Sequence, residues 1–180
     1  MTKQTHIAQL GDEVLRREAQ VIDDFSEPKF HELIETMHGM MLEANGVGIA
    51  APQLGESLQI VIIACRPTAR YPLAPVMPPI VMVNPSFTLI DAELHKDWEG
   101  CLSVPGVRAL VPRYRAIKVS YQDQQGYRQD IALEDFPARV FQHEFDHLQG
   151  LVYLDRVEYN RDIIAESEFF KLIAVEEHRQ

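Results

Sequence analysis

The chain has 180 residues, 46% of them hydrophobic and 24% charged, with a net charge of -10. This is the composition of one globular domain with a core of its own, and its negative surface argues against DNA and against anionic membranes as partners. No apolar run reaches the roughly 18 residues that span a bilayer, and the start MTKQTHIAQLGDEV lacks the apolar core of a secretory signal, so a cytoplasmic location is expected.

From the N-terminus, residues 28–44 read PKFHELIETMHGMMLEA and place Phe30, Ile34, Met37, Met41 and Ala44 at helical intervals. Asn45 and Gly46 then stop the helix, because both tolerate the left-handed conformation of a helix end. QIVIIA, residues 59–64, is short, β-branched and apolar, a buried strand with Cys65 as a buried thiol at its end. Cys65 and Cys101 are too few for a disulfide framework. RPTARYPLAPVMPP, residues 66–79, holds five prolines and no period, and reads as a loop. IVMVNPSFTLI, residues 80–90, reads as two strand pieces broken at Asn84 and Pro85. Ile117, Val119 and Tyr121 alternate, DQQG turns, and residues 127–133 return to make a hairpin. Asp135 can cap the next helix, with Pro137 in its first turn. That helix carries HEFDH and stops near Gly150, and a last helix is expected over residues 160–180. The fold class is therefore α+β: mostly antiparallel strands packed around a central helix carrying HEFDH, with an N-terminal and a C-terminal helix, in one catalytic domain over residues 1–180.

His143, Glu144 and His147 form an H-E-x-x-H. Residues four apart share a helix face, so the two imidazoles can bind one divalent ion, and Glu144 stands beside them to take a proton from water. The longer protease pattern H-E-x-x-H-x-x-G-x-x-H finds Gly150 in place but Tyr153 where its third histidine belongs, and Asp155 comes too late. Glu158, Glu166 and Glu168 have the spacing of solvated charges on a terminal helix. Upstream, EGCLS at residues 99–103 offers Cys101, whose thiolate completes a site of three protein ligands and leaves a fourth position for water. There Gly100 lets the backbone approach metal or substrate, and the N–H of Leu102 can point at an oxyanion. In GVGIAAPQ, residues 46–53, small side chains let an extended backbone lie alongside, and Gln53 ends the stretch with an amide able to donate to a carbonyl oxygen. Its glycine order is not that of a nucleotide loop. Taken singly, the segments have plainer readings: helix histidines that bind nothing, a structural cysteine, a glycine-rich helix exit.

Together, GVGIAAPQ, EGCLS and QHEFDHLQG resemble the peptide deformylases, and the likeness extends from GDEVLRREA near the start through the metal helix. The resemblance implies removal of the N-formyl group from formylmethionyl nascent peptides, releasing formate. It implies metal ligands Cys101, His143 and His147, the general acid/base Glu144, and oxyanion donors in Gln53 and the Leu102 N–H. Val47 and Gly48 match the stretch that pairs with substrate backbone, with Gly100 opposite, and Val47, Phe136 and Val140 match the walls of a methionine pocket with His143 at its base. The family usually holds Fe(II), with nickel, cobalt or zinc as replacements, and spacing cannot choose among them.

Arg139 can pair with a carboxylate such as Glu99 or Asp146 and orient the site, whereas Arg108 and Arg113 can meet substrate carbonyls. Two features depart from the family pattern: a long loop at residues 66–79, placed to rim the substrate groove, and a last segment with more acidic than basic residues. The second argues against direct docking on ribosomal RNA, although transient ribosome proximity is compatible with it. Two rival readings stay open on the sequence. One is a metallopeptidase with Glu158 or Glu166 as third ligand, and the other is a non-catalytic metal- or peptide-binding module.

Overall fold

A computed structural model describes residues 6–177. Two long strands frame it. β3 (Ile80–Cys101) and β4 (Val104–Gln122) run antiparallel, joined by the tight turn at Leu102 and Ser103. The expected interruption at Asn84 and Pro85 is a bulge rather than an end. The register shifts between Val83 and Ser86, Asn84 takes φ 48°, and its side-chain amide closes onto the backbone of Ile22 and onto Gln122. A proline without an N–H fits at such a point because the ladder is already locally broken.

Among the described residues the sheet has the order β1-β2-β3-β4-β5, where β1 is Gly48–Ala50, β2 is Ile60–Ile63 and β5 is Arg128–Glu134. Every pairing is antiparallel. The short β1 therefore lies at one edge, bonded to β2 on one side only.

α1 (Pro28–Glu43) starts on a proline, where the missing N–H costs nothing, and buries Phe30, Ile34, Met37 and Met41 against Ile49, Ile60 and Ile62. Asn45 at φ 52° ends it in the left-handed region, as its sequence predicts. α2 (Asp135–Leu148) buries Ala138, Phe141 and Leu148 in the main core, and Phe87 of β3 meets Phe141 and Phe145 edge-on. The expected cap is absent. Glu134 holds the N-cap position without a side-chain bond, and Asp135 itself takes φ 51° with its carboxylate accepting from Arg115 Nε at 3.2 Å.

The last helix also starts later than expected. Residues 160–162 form a single turn, Ile163–Ala165 is a strand, β6, paired with Val107 to Ala109 of β4, and α3 runs over Glu166–Glu177. Two successive isoleucines favour the extended form, and β4 offers their backbone groups partners that a helix there would have to forgo. Residues 178–180 of the expected helix lie outside the described residues. The proline-rich loop is folded on itself: Thr68 and Tyr71 exchange backbone bonds of 3.1 Å, and Met77 N–H donates to Cys65 O at 2.8 Å. Cys65 is fully buried, and burial pushes its thiol up to about 11.

Gly150 closes α2 with φ 70°, and a Cβ there would lie 2.9 Å from the backbone carbonyl of Arg16. Gly150→Ala is expected to lower the unfolding free energy by about 1–3 kcal/mol, read from the urea midpoint. An unmoved midpoint would mean that the Arg16 segment yields without cost.

Candidate metal centre

Cys101 closes β3 just after a register shift between Glu99 and Cys101, and His143 and His147 stand one turn apart on α2. Their ligand atoms all lie within 4.8 Å of one another, and Cys101 Sγ is 3.3 Å from His147 Nε2. Ligands on a tetrahedral ion with bonds of 2.0–2.3 Å stand about 3.4 Å apart, so small rotations bring the three atoms onto one ion. All three residues are buried. Burial alone would raise the Cys101 thiol, but the facing His147 and His143 outweigh it and hold the group well below its ordinary value. The donor set is thus one that welcomes a positive charge at its centre. Two buried polar atoms beside it, His147 Nδ1 and Glu144 Oε2, have no protein partner among the described residues.

The histidines do not orient themselves. His143 Nδ1 lies 2.9 Å from Glu99 Oε2, which leaves its Nε2 as the available ligand atom. Glu99 in turn receives Arg113 Nε and Nη2 at 2.9 and 3.0 Å and Arg139 Nη1 at 2.8 Å. Arg113 reaches on to Asp146 at 2.6 Å, which also accepts from Arg156. Burial would raise the Glu99 carboxyl, yet the Arg113 guanidinium beside it holds it far below the usual carboxylate range. Arg139 pairs with Glu99 as one of the two expected partners. Arg113 is held in the same network, where two buried carboxylates claim its donors. Tyr153, in the place of a third histidine, lies nearly parallel to the His143 ring at 5.8 Å and donates to Val107 O at 3.0 Å.

Glu144 is 5% exposed, and burial pushes its carboxyl up to about 7 against the pull of His143 and His147. A Cβ on Gly48 would come within 2.5 Å of Glu144 Oε1, so the glycine makes the space in which this carboxylate sits. Gln53 is fixed by a bond from Ala50 N–H to its Oε1 at 2.9 Å. That turns its Nε2 toward Cys101 Sγ at 3.5 Å and Ser103 Oγ at 3.2 Å. One cavity gathers Val47, Gly48, Gln53, Gly100, Leu102, Phe136, Val140, His143 and Glu144. Arg108 does not line that cavity. It lies behind Gly100, 1% exposed, with its guanidinium donating to Glu166 and to the Tyr71 hydroxyl. Glu158 pairs with Lys96 and Glu166 with Arg108, so neither rival third ligand joins the cluster.

Residues 4–162 match the family described as polypeptide deformylase. The chain belongs to that family. The peptide deformylase 2 of Nostoc sp. is 47% identical over 167 residues, 93% of each chain, and that of Ralstonia nicotianae is 45% identical over 152 residues, 84% of this chain and 86% of its own. The Met-Ala-Ser-bound class I type b peptide deformylase of Acinetobacter baumannii superposes with a TM-score of 0.83 at 40% identity, over 87% of this chain and 100% of that one. The peptide deformylase of Thermotoga maritima gives 0.76 at 36%, over 86% and 98%. Deformylases are metal-dependent hydrolases that remove the N-formyl group from nascent peptides, so the metallopeptidase and binding-module readings fall.

Glu99 was expected as a partner of Arg139, and its bond to His143 is the part the sequence reading did not contain. One residue of the cavity escaped that reading. Tyr71 lines the cavity from the proline-rich loop, and nothing in the loop's pattern marks it. Arg113→Met is expected to cost about 3–5 kcal/mol, because it leaves Glu99 and Asp146 buried without their main partner. Denaturant unfolding measures this, and wild-type stability in the variant would show that Arg139 and Arg156 suffice.

Proposed function

We propose that this deformylase holds the formylated end of a new chain against the free edge of β1 and splits the formyl amide with Glu144 as proton carrier. The observation that carries the reading is the position of the Glu144 carboxylate, buried against Gly48 and beside the Cys101, His143 and His147 cluster. The donor set fits a divalent ion held by those three side chains, Fe(II) as is usual in the family, with nickel, cobalt or zinc as replacements. Such an ion supplies a Lewis acid at the formyl oxygen and lowers the pKa of water at the site.

The chain's own groups do the rest. β1 lies at the sheet edge, so an extended peptide can add there as a further strand, with Gly100 on its other side. Val47, Phe136 and Val140 then face the methionine side chain, with His143 at the base of the pocket. Glu144 takes a proton from water as the water oxygen bonds to the formyl carbon. The carbonyl electron pair moves onto oxygen, where Gln53 Nε2 and the Leu102 N–H donate to it. Glu144 then passes the proton to the amide nitrogen as the C–N bond breaks, releasing formate and a free N-terminus. The site asks nothing of DNA or of a membrane. A last segment rich in acidic residues disfavours direct docking on ribosomal RNA, so the enzyme meets nascent chains in the cytoplasm by diffusion or by transient proximity to the ribosome.

Formate release from a formyl-Met peptide, measured anaerobically with Fe(II), tests the reading, and silence with every metal would sink it. Glu144→Ala is expected to retain metal while kcat falls about 10²- to 10⁴-fold. Cys101→Ala is expected to lose the metal itself, and full metal content in that variant would remove Cys101 from the ligand set. Gly48→Ala, whose Cβ needs the space of the Glu144 carboxylate, should lower kcat at least about tenfold with metal content retained.

A further inference from the structure

We infer that Tyr71 is a specificity-determining residue of the first side-chain pocket, a partition that keeps the pocket to the width of methionine; the inference rests on the deformylase reading of the site. Tyr71 and Phe136 line the catalytic cavity on one side and an outer groove of about 370 Å³ on the other. Their rings meet at 5.0 Å with an interplanar angle of 57°, and both line both spaces, so the pair stands between them. Beyond it the groove is lined by Leu73, Trp98, Phe169 and Ile173, an apolar space that a large side chain could enter if the wall were removed.

The partition is held from several directions. Its backbone is fixed by the paired bonds to Thr68, and Thr68 Oγ1 accepts from the Tyr71 N–H at 3.1 Å. Its hydroxyl accepts from Arg108 Nη1 at 3.0 Å, and the Arg108 guanidinium lies 5.5 Å from the ring centroid. Arg108 is anchored by Glu166 Oε1 at 2.8 and 3.2 Å and by the Phe169 ring at 5.0 Å. It occupies the space that a side chain at Gly100 would need, with the hypothetical Cβ only 2.5 Å from its guanidinium carbon. Glu166 and Arg108 are thus positioning residues, and through them α3 sets the width of a pocket it does not itself line. A ring held on both its backbone and its hydroxyl cannot swing aside for a wider substrate without breaking a partly buried charge-assisted bond.

The test compares kcat/KM for formyl-Met-Ala-Ser and formyl-Phe-Ala-Ser in the metal-loaded full chain. Because both substrates are read on the same sample, the ratio does not depend on how much of a variant is folded. Tyr71→Ala is expected to lower the Met-over-Phe ratio about tenfold or more, through a gain on the phenylalanine peptide. Tyr71→Phe keeps the ring but loses its tether to Arg108, so its ratio should fall between those of wild type and Tyr71→Ala, and Glu166→Gln, which leaves the Tyr71 hydroxyl bond in place, should hold the ratio within about threefold of wild type. A ratio unmoved in Tyr71→Ala, including an equal loss on both peptides, would overturn the inference and leave Tyr71 a loop anchor. A wild-type enzyme that does not discriminate between the peptides would overturn it too. Absence of formate from both peptides with the wild type would strike the deformylase reading first and the inference with it.

Discussion

The structure is organised around one buried carboxylate. Glu99 belongs to β3, Arg113 to β4, and Arg139 and His143 to α2, and all three partners bond to it. An ionised carboxylate with almost no access to water is costly unless its lone pairs are filled. The arrangement therefore penalises any slip of β3 against β4, or of α2 against the sheet, that would strand the charge. Its hydrophobic surroundings could tolerate a small displacement of α2, whereas the bond from Glu99 Oε2 to His143 Nδ1 could not. Geometry at the Cys101, His143 and His147 cluster is in this sense inherited from an ion network that reaches from β3 through α2.

Two glycines show how tightly charged groups are fitted around that network. At Gly48 the missing side chain is replaced by the Glu144 carboxylate, and at Gly100 by the Arg108 guanidinium. Glycines of this kind are read most readily as room for a ligand's backbone. Here each also makes room for a functional or positioning side chain arriving from another element, so the same atom count serves packing and access together.

The grouping of the site was more legible than the architecture. Cys101, Glu144, His143 and Gln53 come from short segments that the structure brings to one cavity, and a single helix period explains why His143 and His147 converge. The extent of β3 was not legible, because bulges break its alternation and much of the segment from Ser86 to Asp97 is exposed, so that no buried face imposes a pattern. β6 was hidden for the opposite reason: helix-compatible residues follow it at once, and only a partner strand distant in sequence decides its conformation. The pairing of Arg108 was not legible either, because the carboxylate that claims it lies in the last helix, far away in sequence. Tyr71 carries no signal of its own, since its importance comes from what lies on either side of it.

The shortness of β1 has a further bearing on how such an enzyme serves its clients. A strand of three residues at a sheet edge offers an incoming chain only a few main-chain bonds, and main-chain bonds are indifferent to the side chains they carry. On the proposed binding mode a grip of that kind would be weak and indifferent to residues past the first. For a catalyst facing many chains that share only their opening residue, it would combine generality with easy departure of the trimmed chain. A longer edge would hold each product more firmly and release it more slowly.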